Sequence, residues 1–294
     1  MSLAKAMRLL SLLPRRPGEF VDRVANVLQE RFERLSVKAP TYQTTQWKDL
    51  VVGLEGCLSV NLNGVIVESA LHSIEAHVRA EIEKLRLHAP FRLSHNADFS
   101  LARVCYGLCR AMNPAVVLET GVGYGVTSAF VLQALEQNQK GQLHSIDLPP
   151  LGSDVDRFTG ILIPELLKKR WRLHRGASKR VMPQLLSQFA AVDIFIHDSL
   201  HTYRNISREL QMVAPRLAPR CIVIADDIEG NSAFLEWVGH ANPAFWATMK
   251  EEAKDNQFGV SVHIDGSASR SSLRSEAQPQ DGGGHEPEIA GRMR

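Results

Sequence analysis

The chain is predicted to fold as an α/β protein: a doubly wound, mostly parallel, seven-stranded sheet with an antiparallel edge, preceded by an N-terminal helical extension. Three observations lead there. Short β-rich runs alternate with helical patterns from residue 96 to 264, as in parallel sheets covered by helices on both faces. A glycine cluster, Gly121-Val-Gly123-Tyr-Gly125, stands between the first run and the first helix that follows it. Carboxylates recur at or just past the ends of the runs, at Glu119, Asp147, Asp198, Asp226 and Asp227.

Residues 1–95 read as helical and irregular. Phe20, Val21, Val24, Val27, Leu28 and Phe32 recur at helical spacing, and a second helix is expected from Val65 to Leu87. The stretch Thr41–Asn63 gives no readable pattern. The core region, 96–264, offers strands at Val116–Leu118, Gln142–Ile146, Trp171–His174, Val192–Ile196 and Cys221–Ala225. Helices are expected over Val126–Leu135, Arg204–Leu217 and Ala233–Gly239. Two late strands, Ala247–Lys250 and Gly259–Ile264, are separated by Asp255-Asn256 and read as an antiparallel pair at one edge. Residues 265–294 are Ser, Gly, Pro, Gln and charge, including Asp281-Gly-Gly-Gly-His285, and read as a disordered tail.

The bulk composition narrows the function. The 294 residues carry a net charge of +2 and 6% aromatics, which supports neither a basic nucleic-acid footprint nor a stacking platform. Cys57, Cys105, Cys109 and Cys221 form no C-x-x-C pair and read as thiols in a reducing compartment. No apolar run is long enough to span a bilayer. The Leu9–Leu13 patch ends at Pro14-Arg15-Arg16-Pro17 without a small-residue cleavage site, so a cytoplasmic protein without stable membrane insertion is expected.

Glycines after a strand let the backbone turn sharply and approach a ligand, and in an open α/β sheet ligands sit at the carboxyl ends of the strands. The dinucleotide fingerprint requires a glycine where Val126 stands, which argues against a pyrophosphate. Asp147, at the end of the second strand, suits the paired hydroxyls of a ribose; a turn or cap before Pro149 is its structural alternative. Glu119 precedes the glycines. A nucleoside ligand without pyrophosphate fits, and S-adenosylmethionine is the common one.

The segment Glu119–Gly125 resembles the first motif of class I S-adenosylmethionine-dependent methyltransferases, a Rossmann-like fold. Gly176-Ala-Ser-Lys-Arg-Val-Met-Pro-Gln-Leu185 is similar to the adenine-contacting loop and helix of catechol O-methyltransferases. Ile194–Tyr203 resembles that family's fourth strand and metal-bearing loop, and Ala225-Asp-Asp227 its metal-ligand dipeptide. The resemblance covers residues 96–264 and is nearest a bacterial branch that includes macrocin O-methyltransferase-like and cephalosporin hydroxylase-like proteins. It implies cofactor contacts at Glu119, Gly121, Gly123, Gly125, Asp147, Ala177, Ser178 and Asp198.

Asp198, Asp226 and Asp227 are hard oxygen ligands that suit Mg²⁺. Consecutive strand residues point to opposite faces, so Asp226 and Asp227 can both ligate only if the strand has ended; otherwise Asp227 is a cap. His201 stands where the catechol enzymes carry a lysine. It is taken as the general base, with metal ligation or plain hydrogen bonding as its other roles. Tyr203 is expected to pack or bond near the cofactor loop. His144 and His174 read as structural; His95, Asn96 and Asp98 read as residues of a substrate mouth, with capping as the alternative for Asn96 or Asp98.

The expected activity is thus Mg²⁺-assisted O-methylation of a small-molecule hydroxyl, on a sugar or natural product. A metal-dependent hydroxylase would require a second histidine beside His201. A non-catalytic nucleoside-binding protein is the third reading. The N-terminal helices are expected to serve as a lid, as a homo-oligomer contact, or as both.

Overall fold

The computed structural model describes residues 3–36, 39–152 and 155–264; the tail expected at 265–294 lies outside the described residues. Helices α1 (Leu3–Leu10), α2 (Pro17–Ser36), α3 (Trp47–Leu58), α4 (Leu62–Val65), α5 (Ser69–Leu85) and α6 (Phe99–Met112) precede the sheet. Then follow β1 (Val116–Thr120), α7 (Val126–Gln137), β2 (Gln142–Asp147), β3 (Trp171–Arg175), α8 (Ser178–Leu186), β4 (Val192–His197), α9 (Tyr203–Val213), β5 (Leu217–Ala225), α10 (Ala233–Ala241), β6 (Phe245–Lys250) and β7 (Gln257–His263).

The strand order is β3-β2-β1-β4-β5-β7-β6. The first five strands are parallel, and β7 runs antiparallel to both neighbours. The expected late pair is therefore present, with the last strand inserted between β5 and β6. Burial accounts for the order. In β7 the residues after Gln257 are all buried, as suits an interior strand, whereas β6 keeps Trp246 and Lys250 exposed. The six-residue link between them is too short for a parallel crossover.

Alternate strand residues feed two apolar layers. Val117, Ile194 and Ile222 pack with α3, α5, α6 and α7. Leu118, Phe195 and Val223 pack with α8, α9 and α10. Leu50, Leu54, Leu71, Ile74 and Val78 belong to the first layer, so α3 and α5 cover one face of the sheet. Cys105, Cys109 and Cys221 are buried thiols. The unread stretch 41–63 holds α3, whose buried Leu50, Val51, Leu54 and Leu58 form one face.

Helix α2 forms where its apolar spacing places it, with the opposite face inward. Val21, Val27, Leu28 and Phe32 are exposed, while Asp22 and Glu33 are buried. Among the described residues no helix is long and apolar enough to cross a membrane.

Gly259 of β7 lies under the Phe234 ring of α10, where an added Cβ would stand 2.3 Å from a ring carbon. Gly259→Ala should therefore destabilise the fold by about 1–3 kcal/mol through overpacking. The check is the urea midpoint at constant slope; an unmoved midpoint would show that the ring yields freely.

Candidate functional site

The site forms where the hydrogen-bond ladder runs one step past the strand ends. The N–H of Gly121 bonds the Ile146 carbonyl, that of Asp198 the Thr120 carbonyl, that of Asp226 the His197 carbonyl, and that of Gly176 the Asp147 carbonyl. These bonds set Asp147, Gly121, Asp198 and Asp226 along one carboxyl edge. The order reverses between β1 and β4, which is the switch point where α/β sheets open a crevice. A cavity of about 450 Å³ lies there, within the range of small-molecule sites.

Gly121 and Gly123 line the cavity. Gly121 has φ 85°, and a Cβ on it would stand 1.7 Å from the Asp198 carbonyl oxygen. Gly125, φ 95°, sits at the N-cap of α7. Tyr124, between the glycines, turns inward. Its ring stacks on Phe91 at 3.8 Å, and its hydroxyl donates to the Phe91 carbonyl at 2.7 Å.

Glu119 is fully buried beneath the loop, with Oε2 accepting from Ser128 and Ser145 at 2.6 Å each. Burial pushes its carboxyl up to about 8, against those two hydrogen bonds. Asp147 lines the cavity. Burial pushes it up to about 7, opposed by the Val122 N–H and reinforced by the Asp198 charge. Its Oδ2 is buried without a partner. Ala177, Ser178, Asp198 and His201 also line the cavity.

The acidic end is tighter. β5 stops at Ala225, and Asp227 adopts φ 50°, ψ 47°, so the strand alternation no longer separates it from Asp226. Potential ligand atoms of Asp198, His201 and Asp226 lie within 4.8 Å of one another, and so do those of Asp226, Asp227 and Glu251. Neither group holds a second histidine. His201 bridges the aspartates, with Nε2 3.5 Å from Asp198 and Nδ1 2.8 Å from Asp227. Burial disfavours its charge, but the two carboxylates hold its pKa well above the ordinary value. Burial raises Asp226, and Asp198, Asp227 and Glu251 add to the rise. Asp227 resists burial through His201 and falls to about 2.

Other expectations resolve simply. Asp98 caps α6, accepting from the Ser100 N–H at 2.7 Å. His144 and His174 pair with each other, 3.2 Å between ring nitrogens, on β2 and β3. Tyr203 donates to Glu236 of α10 at 2.5 Å and not to the glycine loop.

Residues the sequence did not point to come from α2 and from the turn after β6. Arg23, Asn26 and Glu30 line the cavity. Carboxylates fasten the helix that carries them. Glu19 pairs with Arg175 at the end of β3 and with Arg23, each at 2.7 Å. Asp22 pairs with Lys179 and Arg180 of α8 at 3.1 and 2.9 Å. Glu33 accepts the Tyr203 and Arg204 N–H groups at the start of α9.

Residues 118–228 match the family profile described as "Methyltransferase domain". No curated protein sequence is matched. A Klebsiella pneumoniae structure assigned as an O-methyltransferase is similar at 16% identity and TM-score 0.51, covering 74% of this chain and 97% of its own. The O-methyltransferase from Bacillus cereus, solved with SAH, aligns at 12% identity and TM-score 0.48, over 73% and 97% of the two chains. TomG from Streptomyces achromogenes, solved with SAM, aligns at 14% identity and TM-score 0.48, over 76% and 100%.

Glu19 supplies a pH test of the α2 attachment. Burial works against its charge, but Arg175 and Arg23 hold its carboxyl at about 2, below the free value of 4.5. A carboxylate depressed in the folded state stabilises above its unfolded pKa and loses that contribution as pH falls through the folded value. Wild type should exceed Glu19→Gln in stability by about 1–3 kcal/mol at neutral pH, with the gap closing between about pH 4.5 and 2. Urea unfolding of both proteins across that range is the check, and a pH-independent gap would refute the assignment.

Proposed function

We propose that this chain, whose residues 118–228 form a methyltransferase domain on the class I S-adenosylmethionine-dependent fold, methylates a hydroxyl of a small molecule with the help of a divalent cation. The observation that carries the reading is a convergence on one cavity wall. Asp147 brings a buried, unpartnered Oδ2 suited to ribose hydroxyls. Asp198 and His201 line the same cavity and group with Asp226, whose Oδ1 is likewise buried and unpartnered. Unpaired buried carboxylates are costly, and a nucleoside diol and a hard cation relieve these two.

S-adenosylmethionine supplies an activated methyl group on a sulfonium, and Mg²⁺ supplies a Lewis acid that lowers the hydroxyl pKa. The protein's own part is to align and to take the proton. Gly121 and Gly123 let the backbone close on the cofactor edge, Ala177 and Ser178 line the same cavity, and Asp147 addresses the ribose. Alignment of oxygen, carbon and sulfur is what an in-line displacement demands. His201 takes the hydroxyl proton. Asp198 and Asp227 flank it and raise its proton affinity; a cation held by the neighbouring carboxylates would lower that affinity and leave a base. The hydroxyl class, a sugar or vicinal diol, follows from the resemblance of the metal-bearing loop.

Calorimetry with S-adenosylmethionine and S-adenosylhomocysteine tests the cofactor; binding of neither at millimolar concentration would end the proposal. Asp226→Ala should abolish metal-dependent turnover while leaving S-adenosylhomocysteine affinity nearly intact. His201→Ala should lower kcat about 10²–10⁴-fold with the same intact affinity. Equal loss of turnover and of binding in either variant would mean that its role is misassigned.

A further inference from the structure

β6 ends at Lys250, and Glu251 opens the turn into β7. Its side chain is 3% exposed. Oε1 accepts from the backbone N–H of Asp98 at 3.3 Å. Oε2 is buried and has no hydrogen-bond partner, with the Lys254 ammonium 3.8 Å away. Asp226, 1% exposed, likewise leaves Oδ1 without a partner. Asp227 directs one oxygen to the Asn256 amide and the other to His201. Three carboxylates, two of them buried and Asp227 partly so, thus bring ligand oxygens within 4.8 Å of one another, where like charges repel strongly unless a cation joins them.

The turn is built to hold Glu251 there. Its N–H bonds the Asn256 carbonyl at 2.9 Å. Asp98 takes the Ala253 N–H at 2.9 Å, and Lys254 reaches the Asn96 carbonyl. A structural tether to Asp98 needs only Oε1, and Lys254 at 3.8 Å gives the buried Oε2 no hydrogen bond.

We propose that Glu251 is a ligand of the divalent cation, which sits among Asp226, Asp227 and Glu251 and so spans β5 and the β6–β7 turn. The inference rests on the metal-assisted reading of the same site. An all-oxygen set favours a hard cation such as Mg²⁺ or Mn²⁺. It also separates two roles that Asp198, His201 and Asp226 alone would merge, because His201 need not ligate and stays available as the base.

The test titrates Mn²⁺ alone into wild type, Glu251→Gln and Glu252→Gln, reading free Mn²⁺ by electron paramagnetic resonance. S-adenosylhomocysteine affinity is measured in parallel. Glu252 carries the same charge on an exposed side chain paired with Arg103 and controls for long-range electrostatics. Glu251→Gln should weaken Mn²⁺ by at least about tenfold, Glu252→Gln should leave it close to wild type, and all three should bind S-adenosylhomocysteine alike. Equal Mn²⁺ affinity in wild type and Glu251→Gln overturns the ligand role and leaves metal assistance standing. Absence of Mn²⁺ binding to wild type overturns both. Should Glu251→Gln fail to fold, Glu251→Asp keeps the charge and withdraws the oxygen by one methylene; weakened Mn²⁺ binding supports the role, and unchanged affinity overturns it.

Discussion

The Asp198 carbonyl packs against Gly121 so closely that a methyl group has no room between them. This contact joins the loop after β1 to the loop after β4, the two loops that flank the switch point. Everything the site does depends on their registry. Gly121 borders the cavity on the glycine-loop side, and Asp198 opens the acidic edge. The ladder bonds from Gly121 to Ile146 and from Asp198 to Thr120 fix both loops to the sheet. Glycine is required twice over, by the space and by φ 85°.

Below that contact the sheet carries two buried acids with opposite tendencies. Glu209 of α9 resists burial because His197, at 2.7 Å, together with Thr120 and Ser178, holds its carboxyl at about 2. Its second oxygen accepts from Ser199 and Asn205, at 2.8 and 2.9 Å. The Glu209–His197 pair thereby bolts the Asp198–Asn205 loop from beneath. Glu119 has no cation beside it; two serine hydroxyls do not offset its burial, and its pKa rises to about 8. One buried acid fixes a loop by its charge, and its neighbour supports the glycine turn mainly as a neutral group.

The sheet was legible because buried parallel strands are β-branched runs, as in Val192–Ile196, and because acids collect at their ends. The site's first layer followed from the same rule, since Asp147, Asp198 and Asp226 mark where strands stop. Helix α3 was hidden because Gly53 and Gly56 dilute its helical signal. Gly53 is there for the Phe245 ring, which leaves no space for a Cβ. Glu251 gave no signal, since an acid after an edge strand looks like any solvated turn. Only the insertion of β7 between β5 and β6 brings that turn beside Asp226. Glu119 shows the limit of position alone: the motif marks where it stands, and only its serine partners reveal that it lies beneath the loop.

Helix α2 is the case where periodicity marks the element and burial does not follow the apolar stripe. Its apolar residues Val21, Leu28 and Phe32 point outward, and Glu19, Asp22 and Glu33 point to the core. A helix packed by an apolar stripe would be fixed to the sheet for good, because tens of Å² of buried surface per side chain give it several kcal/mol. Ion pairs whose cations stay partly exposed, as Arg175 and Arg180 do, each contribute less than such a stripe and weaken with salt. The wall that carries Arg23, Asn26 and Glu30 over the cavity is therefore held by several small, separable terms anchored at β3, α8 and α9. Such an attachment orders the cavity wall at modest cost to its release.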